Sequence, residues 1–537
     1  MTYLRKTTAT TPQSAPLPGQ VRNSAGGYSY PVDDWVRLGR FLVLGSELGS
    51  YYATERALTL ENTHVVARCL AEDGARTVAK IVAVSVAGRA PKNDPALFAL
   101  AMAATVEAGE TRRAALTALP QVARTGTHLL HFAGYVQALR GWGRGLRRAV
   151  GAWFLDQPAE RLVLQAIKYR QRDGWALRDL LRLAHPQTAD AQRNAVLGWI
   201  VRGWPGVGPE PHPDPVLRQL WAVEQLQRME TATEAARLIA AYDLPREAVP
   251  TQYLTNPGIW AALLERMPME AMVRNLATMT RVGLLSPLSS ATATVTGRLR
   301  DGAAIRRARL HPVKVLAASL TYAAGHGQRG TNTWTPVPAI IDALNDAFEL
   351  AFGAVEPAGT RHLLALDVSG SMGSGTIAGV PGLTPRVGAA AMSLITARTE
   401  PSVHTMAFSH KLVPLKITPR QRLDDVLKIT NGLPFGGTDC ALPMLWAAKQ
   451  KVAVDTFAIY TDSETWFGSV HPAEALRRYR TQMGIPAKLI VVGMVANDFS
   501  IADQHDGGML DVVGFDTAAP QVMRDFSAAR AEDVTPP

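Results

Sequence analysis

Cysteine is scarce in this 537-residue chain, which holds only Cys69 and Cys440. The two are far apart and neither has a CxxC partner. That excludes a disulfide framework and a cysteine-based zinc site, and it fits a reducing cytoplasm. No run of about 18 apolar residues occurs, so no transmembrane helix is expected. Residues 1–27 contain no acidic side chain and no apolar core of the kind a signal peptide needs. With Arg5, Lys6 and Arg22 they read as a mobile polar tail. Walker, GxSxG and HExxH sequences are all missing, and no Ser/His/Asp set or carboxylate pair marks a hydrolase. A non-catalytic protein is expected.

What is present is a composition for packing: 47% hydrophobic and 19% charged residues, the balance of a globular chain rather than a disordered one. The length suggests about two to four domains. The net charge of +10 divides unevenly. From Arg361 onward there are 16 basic and 17 acidic residues, a net of −1, so the first 360 residues carry 40 against 29, a net of +11. A basic excess of that kind favours a polyanion partner, although a solvated helix surface would look the same.

Residues 30–350 are rich in Ala, Leu and Arg at helical spacing, as in Trp35-Val36-Leu38-Phe41-Leu42 and Ile340-Ile341-Leu344-Ala347-Phe348. No alternating strand pattern is visible there. So long a helical span exceeds one bundle, and stacked helical pairs in an α-solenoid are expected. The Pro- and Gly-rich stretch 203–215 reads as a loop between two helical groups. The pattern changes at Glu356-Pro357-Ala358-Gly359. Short apolar runs then alternate with helical segments: strands at Arg361–Ser369, Val403–Phe408, Thr456–Tyr460 and Lys488–Met494, and helices at Arg386–Thr399, Cys440–Lys451 and Pro472–Met483. This is the order of a doubly wound α/β sheet, which binds ligands at the carboxyl ends of its strands. The expected division is a tail at 1–27, a helical domain at 28–360 and an α/β domain at 361–537.

The first of these strands ends in Asp367-Val-Ser369-Gly-Ser371. A tight loop there can turn three oxygens to one point. Thr438, in Gly436-Gly-Thr-Asp439, and Asp462, after the Thr456–Tyr460 run, add a hydroxyl and a carboxylate. Asp367, Ser369, Ser371, Thr438 and Asp462 make an all-oxygen site with little charge, which suits Mg²⁺ because that ion keeps several waters. The set resembles the metal-ion-dependent adhesion site of von Willebrand factor A domains. The plainer alternative is a group of loop-capping residues.

Two basic clusters stand out. Arg140 to Arg182 holds ten basic residues against four acidic ones, with Trp142, Trp153, Tyr169 and Trp175 interleaved. Such a surface can pair phosphates and stack unpaired bases, though most of these aromatics individually suit a core. The second cluster comprises Arg298, Arg300, Arg306, Arg307, Arg309 and Lys314 against Asp301. His128 and His131, three residues apart on a helix, read as a satisfied packing pair, and Gly141-Trp-Gly143-Arg-Gly145 lacks the spacing of a phosphate loop.

Several long segments resemble the Ro autoantigen family of TROVE-domain RNA-binding proteins, in its bacterial form. They include Arg40-Phe-Leu-Val-Leu-Gly-Ser-Glu47, Lys168-Tyr-Arg-Gln-Arg-Asp-Gly-Trp175, Asp179-Leu-Leu-Arg-Leu-Ala-His-Pro186, Arg274-Asn-Leu276 and Gly325-His-Gly-Gln-Arg-Gly330. Gly436-Gly-Thr-Asp-Cys440, Ile485-Pro-Ala-Lys-Leu-Ile490 and Gly508-Met-Leu-Asp511 extend the likeness. The resemblance implies a ring of HEAT-like helical repeats closed by a von Willebrand factor A domain. It implies Y RNA on an outer basic surface, single-stranded 3′ ends of misfolded noncoding RNA in a central hole, and a role in RNA quality control. It also implies a 3′-to-5′ exonuclease as a partner tethered through Y RNA. On that pattern Lys168, Arg172 and His185 fall where Y RNA is contacted. Arg140, Arg144, Arg147 and Arg148 join them on charge, and Arg306, Arg307, Arg309 and Lys314 are the candidates for the hole. A monomer without a membrane partner is expected. The competing expectations are a Mg²⁺-dependent protein-interaction scaffold and a metal-dependent nuclease, the latter short of a second metal or a general base.

Overall fold

The computed structural model describes residues 10–45, 55–90, 92–169, 171–204, 208, 210–327, 331–352, 356–377, 382–419, 421–433, 436–514 and 518–529. Arg170 and parts of several resemblance segments, among them 46–47 and 328–330, lie outside the described residues. The chain forms two compact units, one of residues 66–88 and 92–351 and one of 1–65, 89–91 and 352–537.

The first unit is helical. Most helices pack on a neighbour one to three elements along the chain: Gly74–Ala87 on Gly109–Val122, Asp94–Thr105 on Gly126–Leu139, Ser290–Leu299 on Pro338–Ala351, and Pro312–Ala324 on Pro338–Ala351. That nearest-neighbour pattern is a solenoid of stacked pairs. Several starts are set by side chains that satisfy the free N–H groups of the first turn. Asp73 accepts from Arg76 N–H at 2.9 Å, and Asp214 from Val216 N–H at 2.8 Å. Gly88 and Gly325 end their helices in the left-handed conformation. Trp153 and Trp260 are fully buried, with their indole N–H groups donating to the Ala123 and Leu254 carbonyls. The solenoid returns on itself, because Arg309 donates to the Val86 carbonyl at 2.7 Å across 223 residues of sequence.

One feature of this span differs from the sequence expectation. Gln171–Arg172 and Trp175–Ala176 pair as an antiparallel hairpin. Its two-residue turn, Asp173 (φ 52°) and Gly174 (φ 78°), has both residues in the left-handed region. This is the Asp-Gly turn whose twist matches that of paired strands.

The second unit is built on a six-stranded sheet in the order Met509–Val513, Lys488–Gly493, Thr456–Thr461, Arg361–Asp367, Ser402–Phe408, Leu412–Pro414. All neighbours are parallel except the last pair. The parallel strands are nearly continuous apolar runs because helices cover the sheet. Pro385–Thr399 packs on Arg361–Asp367, while Leu442–Gln450 and Pro472–Met483 pack on each other beside Phe457, Ile459, Leu489 and Val491. Asp367 and Asp462 thus stand at the carboxyl ends of adjacent central strands.

Residues 10–31 also belong here. The expectation of a mobile tail fails for residues 10–27: Val21–Arg22 pairs with Tyr28–Pro31, which pairs in turn with Phe499–Ser500. The helix Asp34–Leu44 follows. Its Arg40 is 1% exposed and donates to the Asn497 and Phe499 carbonyls and to Asp511, at 2.9, 3.1 and 2.5 Å. A polar N-terminal segment is ordered here largely by hydrogen bonds, with Tyr30 as its buried apolar anchor.

Candidate functional site

Asp367 is the last residue of a strand buried on both faces. Its Oδ1 accepts the Ser369 N–H at 2.8 Å, which turns the chain sharply into the short helix Ser371–Gly373. The Ser369 and Ser371 hydroxyls stand 3.0 Å apart. From the neighbouring strand end, the Thr461 hydroxyl donates to Asp367 Oδ2 at 2.7 Å. Asp462 follows; Oδ1 accepts the Glu464 N–H at 3.1 Å, and the Ser371 hydroxyl also bonds the carboxylate. Asp367, Ser369, Ser371 and Asp462 therefore converge. Thr438 is buried on an adjoining loop, held through its carbonyl, which accepts the Trp466 and Phe467 N–H groups at 3.1 and 3.0 Å.

Two carboxyl groups are buried side by side here. Burial raises the pKa of both Asp367 and Asp462, and Asp367 raises that of Asp462 further by repulsion. Hydrogen bonds from Ser369 and Thr461 and the field of Arg386 offset part of this at Asp367. Arg386 is not a direct partner, since its guanidinium donates to the Val368 and Ser369 carbonyls at 2.9 Å. Among the described residues no group of three or more His, Cys, Asp or Glu could hold a metal. The donor set here is instead two carboxylates and three hydroxyls. It fits a hard ion that retains water and would relieve the repulsion between the two aspartates. Thr461 and Arg386 were missed in the sequence; the hydroxyl directly preceding Asp462 was the available signal for Thr461.

The helical unit carries the basic candidates. Lys168 ends the helix Ala159–Lys168 and is half-buried, and Arg172 is exposed on the hairpin. His185 is exposed and adopts a left-handed backbone (φ 45°) at the end of Leu177–Ala184. His131 ties the hairpin to the solenoid through a hydrogen bond between its ring Nδ1 and the Asp173 carboxylate, with Asp94 3.8 Å away on its other side. Trp142 and Trp175 stack at a tilt, 5.4 Å apart, beside the same hairpin. Arg140, Arg144, Arg147 and Arg148 are all exposed, and Arg140 also donates to the Thr105 carbonyl at 3.0 Å.

The second cluster is less uniform than its charge suggests. Arg306 and Arg307 are exposed in the last turn of Gly302–Ala308, where cations complement the helix dipole. Arg309 is exposed and bonded to Val86. Lys314 pairs with Glu270 at 2.9 Å. Arg298 caps the Leu264 and Met267 carbonyls and so serves packing, while Arg300 is exposed and pairs with Asp346 at 2.7 Å.

The histidine pair is not the satisfied couple the sequence suggested. His128 Nδ1 is buried without a hydrogen-bond partner. Burial lowers its pKa to about 4, and Arg124, His131 and Lys314 add repulsion.

Comparison with known proteins converges on one family. The profile of the TROVE domain matches residues 21–202 and 236–321, and that of the Ro60 vWA domain matches 361–527. The chain is 50% identical over 510 residues to the RNA-binding protein RO60 of Deinococcus radiodurans, covering 95% of each. It is 36% identical to the RNA-binding protein RO60 of Caenorhabditis elegans, covering 95% of this chain and 90% of that one. The crystal structure of the Deinococcus radiodurans RO (RSR) protein superposes with a TM-score of 0.70 at 48% identity, covering 92% of this chain and 99% of that one.

Proposed function

This chain belongs to the RO60 family of RNA-binding proteins, and from that premise we propose that it binds structured noncoding RNA and serves RNA quality control. The observation that carries the reading is the hairpin 171–176. It displays Arg172 in solvent, with Lys168 at its base, on a turn locked by Asp173–Gly174 and by His131. A rigid support of that kind lets a guanidinium meet a phosphate without first losing backbone freedom. His185 and the exposed arginines at 140, 144, 147 and 148 extend the surface, which we assign to a Y-type RNA. The exposed Arg306, Arg307 and Arg309, with Lys314, are assigned to the single-stranded 3′ end of misfolded RNA. A 3′-to-5′ exonuclease would then be reached through the bound RNA. The reading places the protein in the cytoplasm as a monomer and gives it no chemical step of its own.

The test is binding to a stem-loop RNA, with and without a single-stranded 3′ extension, across a salt series. Each neutralised phosphate contributes about 0.9 to the log–log salt slope on duplex and about 0.7 on single strands. A steep slope and tighter binding of the extended RNA are expected. Salt-insensitive binding, or none, would overturn the assignment.

A second reading rests on the paired buried aspartates. Asp367, Ser369, Ser371, Thr438 and Asp462 would hold Mg²⁺, and the bound ion would supply an open coordination position for a partner's carboxylate. Ser369, Ser371 and Thr461 orient the two carboxylates, and Arg386 fixes the loop backbone. Partner capture lost with EDTA and with Asp367→Ala, and independent of RNA, is the expected result for this reading. Capture that survives both refutes it.

A further inference from the structure

We propose that residues 10–31 form a positioning strap for the candidate metal site, with Gln13 as the side chain that joins the loops carrying Thr438 and Asp462. The proposal builds on the metal reading above and adds residues to it that no metal-site motif contains.

Gln13 is completely buried, an unusual place for a glutamine unless its amide is fully bonded. Its Nε2 donates to Asp439 Oδ1 at 2.7 Å and to the Val470 carbonyl at 2.8 Å, and its Oε1 accepts the Thr465 hydroxyl. Asp439 directly follows Thr438, and Thr465 lies three residues beyond Asp462. One amide therefore spans both loops. The backbone adds two bonds to the second of these loops: Thr11 N–H donates to the Ser469 carbonyl at 2.8 Å and Gln13 N–H to the Gly468 carbonyl at 3.1 Å.

Further along the strap the same loop is gripped residue by residue. The Ser29 hydroxyl donates to the Ser463 carbonyl at 3.0 Å, Ala25 N–H to Glu464 Oε2 at 2.9 Å, and Asn23 Nδ2 to the Thr465 carbonyl at 2.7 Å. Gly27 makes the approach possible. A Cβ there would sit 2.0 Å from the Thr465 carbonyl oxygen and 2.6 Å from Trp466 Cα. The loop 462–471 that receives these bonds has no helix or strand of its own.

A site made of hydroxyls and two carboxylates has no soft, strong ligand to organise it. Its affinity then depends on how well the surrounding groups hold those oxygens in place. The strap supplies that support from residues more than 400 positions away in sequence. By linkage, metal and strap each stabilise the other's bound arrangement.

The test uses the full chain and four variants: Gln13→Ala, Gly27→Ala, Asp367→Ala and, as a control, Arg480→Ala. The control breaks the 2.6 Å ion pair with Asp506 in the same unit. Mn²⁺ affinity is titrated by electron paramagnetic resonance, and hydrogen exchange is followed in residues 436–441 and 461–471. The chain is expected to bind Mn²⁺ and Asp367→Ala to abolish it. Gln13→Ala and Gly27→Ala should each weaken it about tenfold or more and accelerate exchange in both loops, while Arg480→Ala leaves affinity unchanged. Wild-type affinity and exchange in both strap variants would overturn the proposal. Should the wild-type chain bind no Mn²⁺, the metal reading fails by itself and the exchange data decide the strap: acceleration in both loops upholds it, and no acceleration overturns it.

Discussion

Acidification from pH 7 to 4 should destabilise the helical unit through His128. Its ring belongs to the helix Gly126–Leu139, with Nδ1 buried and unpartnered. Burial is the main cause of its lowered pKa; Arg124, His131 and Lys314 add repulsion, and Glu270 opposes them. In the unfolded chain the group titrates near 6.5, in the folded chain near 4. Between those values the unfolded state binds a proton that the folded state does not, so stability falls as pH falls. The contribution is fully present above about 6.5 and is lost by about 4, below which it stays lost. The difference in proton affinity corresponds to about 3 kcal/mol, an upper figure because part of the ring meets solvent. Other groups titrate in the same window, so the measurement is a comparison. Urea unfolding followed by far-ultraviolet circular dichroism, at steps across this range, is compared between the wild-type chain and His128→Leu. The wild type should lose up to about 3 kcal/mol more than the variant. Parallel curves, or a variant that loses more, would refute the reasoning.

Replacing both Lys168 and Arg172 by Ala should lower the log–log salt slope of RNA binding by about 1.4 to 1.8, read by fluorescence anisotropy over a KCl series. An unchanged slope would mean neither side chain meets a phosphate. Gly174→Val forces a branched side chain to a φ of 78° and should cost about 1–2 kcal/mol locally. It should weaken RNA binding with the salt slope intact, because the cations remain but are less well placed. Arg40→Met leaves Asp511 without its cationic partner; a loss of about 3–5 kcal/mol is expected in denaturant unfolding of the α/β unit.

The α/β domain was legible because parallel strands covered on both faces are continuous apolar runs, and Asp367-x-Ser369-x-Ser371 follows directly on one of them. The helical solenoid was legible from spacing alone, although no repeat period marked its units. The hairpin at 171–176 was readable from Asp173-Gly174, but its strands are two residues long and leave no alternation to see. The strap was not legible. Gln13, Asn23 and Ser29 bond to groups more than 400 residues away, and a polar segment held by such bonds looks in sequence like one held by nothing. Arg40 was hidden for a related reason: its helix shows an apolar face, and nothing local announces that the arginine is buried with it. In the second basic cluster, composition counted Arg298 as surface charge, whereas the fold uses it to cap the end of a neighbouring helix.

RNA contact with the helical unit is the central claim, and the most direct measurement is ultraviolet crosslinking of bound RNA in cells, with the attached peptides mapped by mass spectrometry. Crosslinks are expected in peptides spanning Lys168 to His185 and Arg306 to Lys314. Crosslinks confined to residues 361–527, or none in the helical unit, would contradict it.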